Sequence, residues 1–245
     1  VPSKSGAELG MAAPFDISLD AVGSWDLAAE YVWCATQAMV HLSRLSEELI
    51  LWCSSEFGWA TFTDDYTTGS SAMPQKKNAD IAELVRGRSA AVIGDLTTIV
   101  TLQKGLPMTY NRDLQDDKRA VFHADDTLAG SLEALGGMVA TASFHPPTPD
   151  AWVTALDLAE ALVERGVPFR EAHHLVGRLV SSLVAAGRTL DDLGAGELVA
   201  FDERFREGDV DRLDPVASIR FRRTPGGGSM DSVRLQIASL EARFG

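Results

Sequence analysis

Between Gly69 and Asn78 the chain reads GSSAMPQKKN. Two hydroxyls (Ser70, Ser71), two ammonium groups (Lys76, Lys77) and the Asn78 amide crowd into this short stretch. Directly after it, Ala79-Asp80 opens a helical pattern, and the first N–H groups of a helix are unpaired and favour anions. Hydroxyl, ammonium, amide and helix terminus together suit a carboxylate whose negative charge grows during reaction. The matching chemistry is removal of a proton next to a carboxylate, through a doubly charged aci-carboxylate, which needs a base and strong electrostatic stabilisation. Serine acts as that base only where cations and amides stabilise its alkoxide. The same composition also describes a solvated connector. The spacing is not that of a phosphate-binding loop, because the order G-x-x-x-x-G-K-[ST] is missing.

The elements that must position this loop are helical. From about Trp25 to Cys53, Leu42, Leu45, Leu49 and Trp52 recur at three- and four-residue spacing, which predicts one long helix ending near Gly58. A second long helix starts at Asp80 with Ile81, Leu84, Val85, Val92, Leu96 and Ile99 inward, and Gly105 and Pro107 stop it. After LPMTYNRDLQDDKR a third carries Val121, Leu128, Leu132, Leu135 and Val139 on one stripe. The first twenty residues, with Gly6, Gly10 and Pro14, read as mostly irregular. HPPTPD, from His145 to Asp150, cannot continue a helix and marks a boundary. Beyond it come shorter helices at about 151–165, 168–187, 195–204 and 230–243. No run alternates long enough for a convincing strand. The expected fold is all-α: a long-helix bundle over residues 1–145, with the polar loop at 66–79, followed by a smaller helical domain over 146–245.

Composition narrows the partners. Of 245 residues, 35 are Asp or Glu and 22 are Lys or Arg, for a formal net charge of −13. An acidic surface argues against nucleic acid or an anionic membrane as the main partner. A small anionic substrate then needs a local concentration of positive charge, which makes the few lysines informative. Cys34 and Cys53 sit among apolar residues and read as buried, reduced thiols of a cytoplasmic protein. No stretch is long and apolar enough for a membrane helix. The adjacent His173 and His174 project in different directions from a helix, which argues against a shared metal site. Arg220, Arg222 and Arg223 precede three glycines and could grip an anion, but the structural reading of that loop is preferred.

TGSSAMPQKKNADIAELVRG closely resembles the signature of the fumarase/aspartase superfamily, in the form carried by argininosuccinate lyases. LSRLSEELILWCSSEFG, LPMTYNRDLQDDKRAVF and GVPFREAHHLVGRLV are similar to further stretches of that family, so the likeness runs from about Asp20 to Gly228. The resemblance implies a helical bundle of the fumarase/aspartase type and a β-elimination that cleaves a C–N bond and releases fumarate, with no metal or organic cofactor. It implies Ser70 as catalytic base, and Lys76 and Asn78 as the groups that hold a substrate carboxylate. It implies Glu83 as the residue that orients the lysine. Ser71, Met73, Tyr110, Gln115 and Lys118 are implied as substrate contacts, with Lys118 and Gln115 pinning an anionic group. It also implies a tetramer whose active sites are each built from several subunits.

The match has gaps. Family members are longer and carry an upstream Thr-x-x-His segment, to which nothing here corresponds. The chain opens VPSKSGAELG without an initiator methionine, so it is expected to work with a separate N-terminal lyase chain, or to be a fragment. In ISLDAVGSWDLAAE, Ile17 stands where the family has asparagine and Trp25 where it has arginine. Losing an amide and a guanidinium is not conservative. Ala79 replaces the usual proline, which loosens a helix start without altering the chemistry. The expected function is an argininosuccinate lyase-type C–N lyase. The alternative is a paralogue of specialised metabolism that eliminates a different nitrogen group. A non-catalytic assembly subunit is the third reading.

Overall fold

The computed structural model describes residues 2–73 and 75–244. It is helical, with two antiparallel pairs of two-residue strands. The elements in chain order are α1 (Pro2–Glu8), α2 (Ser18–Gly23), α3 (Asp26–Cys53), β1 (Ala60–Thr61), β2 (Thr68–Gly69), β3 (Lys77–Asn78), α4 (Asp80–Gln103), α5 (Asp117–Ala140), β4 (Ser143–Phe144), α6 (Ala155–Glu164), α7 (Phe169–Ala185), α8 (Ala195–Phe201), α9 (Pro215–Ser218) and α10 (Met230–Phe244). Two compact units result, residues 1–146 and 147–245.

In the first unit α3, α4 and α5 run up, down and up, and each packs on the other two. Gly58, at φ +62°, turns the chain after α3, and Gly105, at φ +82°, does so after α4. Both are left-handed conformations that glycine adopts without a Cβ clash. The core joins Val32, Met39 and Leu49 of α3, Ala82, Val85, Val92 and Ile99 of α4, and Ala120, Ala124, Leu135 and Met138 of α5. The expected Val85, Val92 and Ile99 of α4 and Leu135 of α5 are buried, and Ile81, Leu96, Val121 and Leu128 pack partly buried against the same core. Leu45, Leu84, Leu132 and Val139 are exposed where inward positions were expected. The reason is size: alanines and the buried Ser46, Ser89 and Ser131 let three helices approach closely, and the bulkier side chains point away. Two further expectations are corrected. The first twenty residues are not mostly irregular, since α1 and much of α2 lie there. Cys34 is exposed rather than buried, and both cysteines are free thiols.

In the second unit α6 and α7 pack through Leu158, Leu162, Leu175 and Leu179, with Phe205 and Leu213 closing the core. The Asp150 carboxylate caps the tight turn that leads into α6 by accepting the Trp152 N–H at 2.8 Å. Arg222 does not serve the glycine loop. It bonds Asp157 at 2.7 Å and Glu160 at 2.8 Å. A Cβ at Gly227 would meet the Arg222 carbonyl oxygen at 2.3 Å, so the loop needs glycine for close backbone approach.

Exposed ion pairs in this unit give it an acid sensitivity. The Arg188 guanidinium holds Glu197 down to about 2, and Arg204 holds Asp202 down to about 2. Each folded carboxyl therefore stays charged below the ~4 at which it protonates in the unfolded chain. Their contribution is fully present above that value and is lost as pH falls towards about 2. Carboxyl ¹³C titration should place both midpoints near 2, and molar salt should move them upward.

Candidate active site

The GSSAMPQKKN segment forms the end of a hairpin. β2 pairs with β3 in the register Thr68↔Asn78 and Gly69↔Lys77. Ser70 and Lys76 are thus the first residues beyond the neck, on opposite sides. Two side-chain ties close that neck. The Thr68 hydroxyl donates to the Asp80 carboxylate, and the Lys77 ammonium pairs with Asp64. Tyr66, just before β2, presses its hydroxyl on α5 at Gly137, where a Cβ would lie 2.0 Å from it. Lys76, exposed like its neighbour Lys77, differs from it in entering no ion pair among the described residues.

Ser70 is half-buried, and its Oγ accepts the backbone N–H groups of Ala72 and Met73, each at 3.2 Å. Two converging N–H dipoles favour the charged form of an oxygen acid, as in a small oxyanion hole. Next to the hairpin, Ala79 begins α4 without a side-chain cap, which leaves first-turn N–H groups for an outside acceptor. Met73, Lys76, Asn78 and Glu83 line a cleft of about 760 Å³, with Cys53 and Glu56 across it. Ser70 is not among its walls, and Glu83 shares the cleft with Lys76 without a hydrogen bond to it. Ser71 is exposed at the tip, and Pro74 of the signature lies outside the described residues. Burial pushes the Cys53 thiol up, which keeps it protonated and removes it as a nucleophile.

The remaining expected residues lie at the other end of the bundle. Gln115 donates to the Tyr110 hydroxyl at 2.7 Å, and both are exposed. Lys118 bonds Asp117 at 2.8 Å, and the Trp25 indole N–H donates to the second oxygen of Asp117 at 2.5 Å. Burial, the largest influence on Asp117, pushes its carboxyl up, but the Lys118 and Trp25 hydrogen bonds and the Lys118 charge outweigh it and hold the group below its ordinary value. The ion-pair partner of Asp117 is its chain neighbour Lys118. α4 separates the two sets: from Asp80 to Gln103 its axis spans about 35 Å at 1.5 Å per residue. Within one chain the structure brings Met73, Lys76, Asn78 and Glu83 together near Ser70, and leaves Tyr110, Gln115 and Lys118 far away. Sequence reasoning missed Asp117, Thr68 and Asp64. Trp25 and Asp117 are 92 residues apart, and no local pattern links them.

The family model described as lyase matches residues 6–94, and that described as argininosuccinate lyase C-terminal matches residues 152–220. Argininosuccinate lyase of Frankia casuarinae is 47% identical over 244 residues, covering 98% of this chain and 53% of that protein. Its counterpart in Nitratidesulfovibrio vulgaris (strain Hildenborough) is 44% identical over 249 residues, covering 100% of this chain and 54% of that protein. A solved structure of an EDDS lyase variant with bound fumarate is 27% identical, with a TM-score of 0.78, over 98% of this chain and 50% of that one. Fold and signature hairpin thus define a lyase-type helical chain, a member of the fumarase/aspartase superfamily. Within it the chain belongs to the argininosuccinate lyase-like group. It spans about half the length of the curated relatives it matches.

Proposed function

We propose that this chain supplies part of the active site of a carbon–nitrogen lyase that splits an N-substituted aspartate of the argininosuccinate type and releases fumarate. The observation that carries this is the Ser70 hydroxyl, held by two backbone N–H groups beside an unpaired ammonium and an uncapped helix start. Ser70, as alkoxide, takes the proton from the carbon next to the substrate carboxylate and β to the leaving nitrogen. The electron pair moves into that carboxylate, where Lys76, Asn78 and the α4 N-terminus stabilise the second charge. The pair returns to form the C=C bond as the C–N bond breaks. The amine leaves with a proton supplied from outside this chain. Glu83 holds the cleft's electrostatic balance beside Lys76.

Assembly follows from distance. Ser70 and Lys118 cannot meet in one chain if about 35 Å of helix separates their ends, so a site using both draws on several chains. The exposed Leu45, Leu84 and Leu132 on the three long helices support such packing. The reading is a tetramer-like assembly, completed by a second lyase segment that brings the general acid.

The two lysines test it. Lys76→Met should lower kcat/KM of the assembled enzyme by about 100-fold. Lys77→Met, which removes an exposed ion pair with Asp64, should change it only a few-fold, a cost of about 1 kcal/mol or less. Steady-state fumarate release measures both. Equal losses would remove Lys76 from the assigned role.

A second reading has its own support. Trp25, where arginine is expected, gives Asp117 a neutral donor in place of a second cation. That favours a paralogue eliminating a different nitrogen group. Its kcat/KM for another N-substituted aspartate would exceed that for argininosuccinate.

A further inference from the structure

Asp117 is the most enclosed charged side chain at the end of the bundle where α3 and α5 begin, with 9% of its surface exposed. Each of its oxygens has one donor: Lys118 Nζ at 2.8 Å on Oδ1, and Trp25 Nε1 at 2.5 Å on Oδ2. A carboxylate with both oxygens engaged has its plane fixed, and a flexible ammonium bonded to it loses most of its rotameric freedom. Trp25 precedes α3 and Asp117 starts α5, so the pair of bonds spans two helices. The Gln103 amide of α4 reaches the Trp25 carbonyl at 3.5 Å, so three helix ends meet here.

We propose that Asp117 and Trp25 are positioning residues for Lys118: the indole N–H locks the carboxylate, and the carboxylate sets where the ammonium stands and compensates its charge. This rests on the reading of Lys118 as a substrate contact and sharpens it. A lysine already neutralised by Asp117 is a hydrogen-bond donor of fixed direction more than a free cation. The adjoining cleft, about 510 Å³, carries the carboxylates of Asp117 and Asp125 against this single ammonium. The distal part of the substrate's amine portion is therefore recognised by direction, and a second carboxylate there gains little. Trp25 supplies the lock without adding a positive charge, which is the difference from a cation at that position.

The clamp is testable without catalysis. Acylation with a limiting amine-selective reagent, read by peptide mass spectrometry, compares Lys118 with the exposed Lys104 in the same chain. An amine held on a carboxylate is less free to meet the reagent, so the Asp117 hydrogen bond slows Lys118. Asp117→Asn should raise the Lys118 to Lys104 ratio about five-fold, and Trp25→Phe about two-fold, because the carboxylate then turns freely. Trp25→Phe keeps the ring and safeguards the test should Asp117→Asn fold poorly. In the assembled enzyme Asp117→Asn should raise KM about ten-fold with kcat within about two-fold, and Asp117→Glu should recover part of the loss. Unchanged acylation ratios in both variants would overturn the clamp. Faster acylation with unchanged KM would keep the clamp and overturn the substrate role of Lys118 on which the proposal rests.

Discussion

Replacing Ser70 with alanine should lower the turnover of the assembled enzyme by about a thousand-fold, within the range a positioned general base contributes. KM should move only a few-fold, because the carboxylate-holding groups, Lys76, Asn78 and the α4 terminus, remain. Stability should hardly change. Ser70 sits at a half-exposed loop base, and its Oγ only accepts from Ala72 and Met73, whose N–H groups then turn to water. Unfolding midpoint, oligomer size and kcat, measured on one preparation, separate the outcomes. Retained assembly with lost turnover assigns the base. Retained turnover removes Ser70 from the mechanism and leaves the non-catalytic reading standing.

The second large effect falls on stability. Asp209 is 4% exposed and receives both terminal nitrogens of Arg165, at 2.9 and 2.7 Å, and the Arg206 N–H at 2.9 Å. Arg165 Nε is buried without a partner, so this guanidinium depends on Asp209 for its counter-charge. Asp209→Ala strands a half-buried cation and a backbone donor together, and should cost about 3–5 kcal/mol. Trp152 is the one tryptophan after residue 146, so in protein labelled with 5-fluorotryptophan its resolved ¹⁹F NMR signal, followed in urea, reports the second unit. A loss below about 1 kcal/mol would mean that the site relaxes and hydrates, as exposed pairs do. Burial, the largest influence on Asp209, pushes its carboxyl up, but the Arg165 bonds prevail and hold it below the ordinary value. The pair's contribution is fully present above the ~4 at which the unfolded carboxyl protonates, and it is lost as pH falls from there through the lowered folded value.

Helix ends were legible because they are chemical signals. Gly105 with Pro107 stops α4, and Gly58 turns the chain just beyond the end of α3, each in the left-handed conformation its turn demands. The signature hairpin was legible because hydroxyl, ammonium and amide must lie close in sequence to share one loop. Facing was read less well. Val85, Val92, Ile99 and Leu135 do face inward, but the expected Leu84 and Leu132 point away, and small residues, Ala82, Ser89, Ala124 and Ser131, complete the stripe. In a close three-helix contact, approach distance selects small side chains, and the larger apolar residues are left for other surfaces. Long-range ties left no trace at all. Trp25 was noted as a departure, but its bond to Asp117 depends on how α3 and α5 align, which no local spacing encodes. Thr68 with Asp80 and Lys77 with Asp64 escaped for a related reason, since a hairpin's register decides which charges meet across its neck.

The most direct test of the central claim is proton NMR of argininosuccinate incubated with the natively purified assembly that contains this chain, beside a panel of other N-substituted aspartates. Fumarate and the matching free amine appearing in equal amounts from at least one of them is the predicted result. No fumarate from any substrate, in an assembly that is folded and complete, would contradict the assignment of this chain to a working C–N lyase.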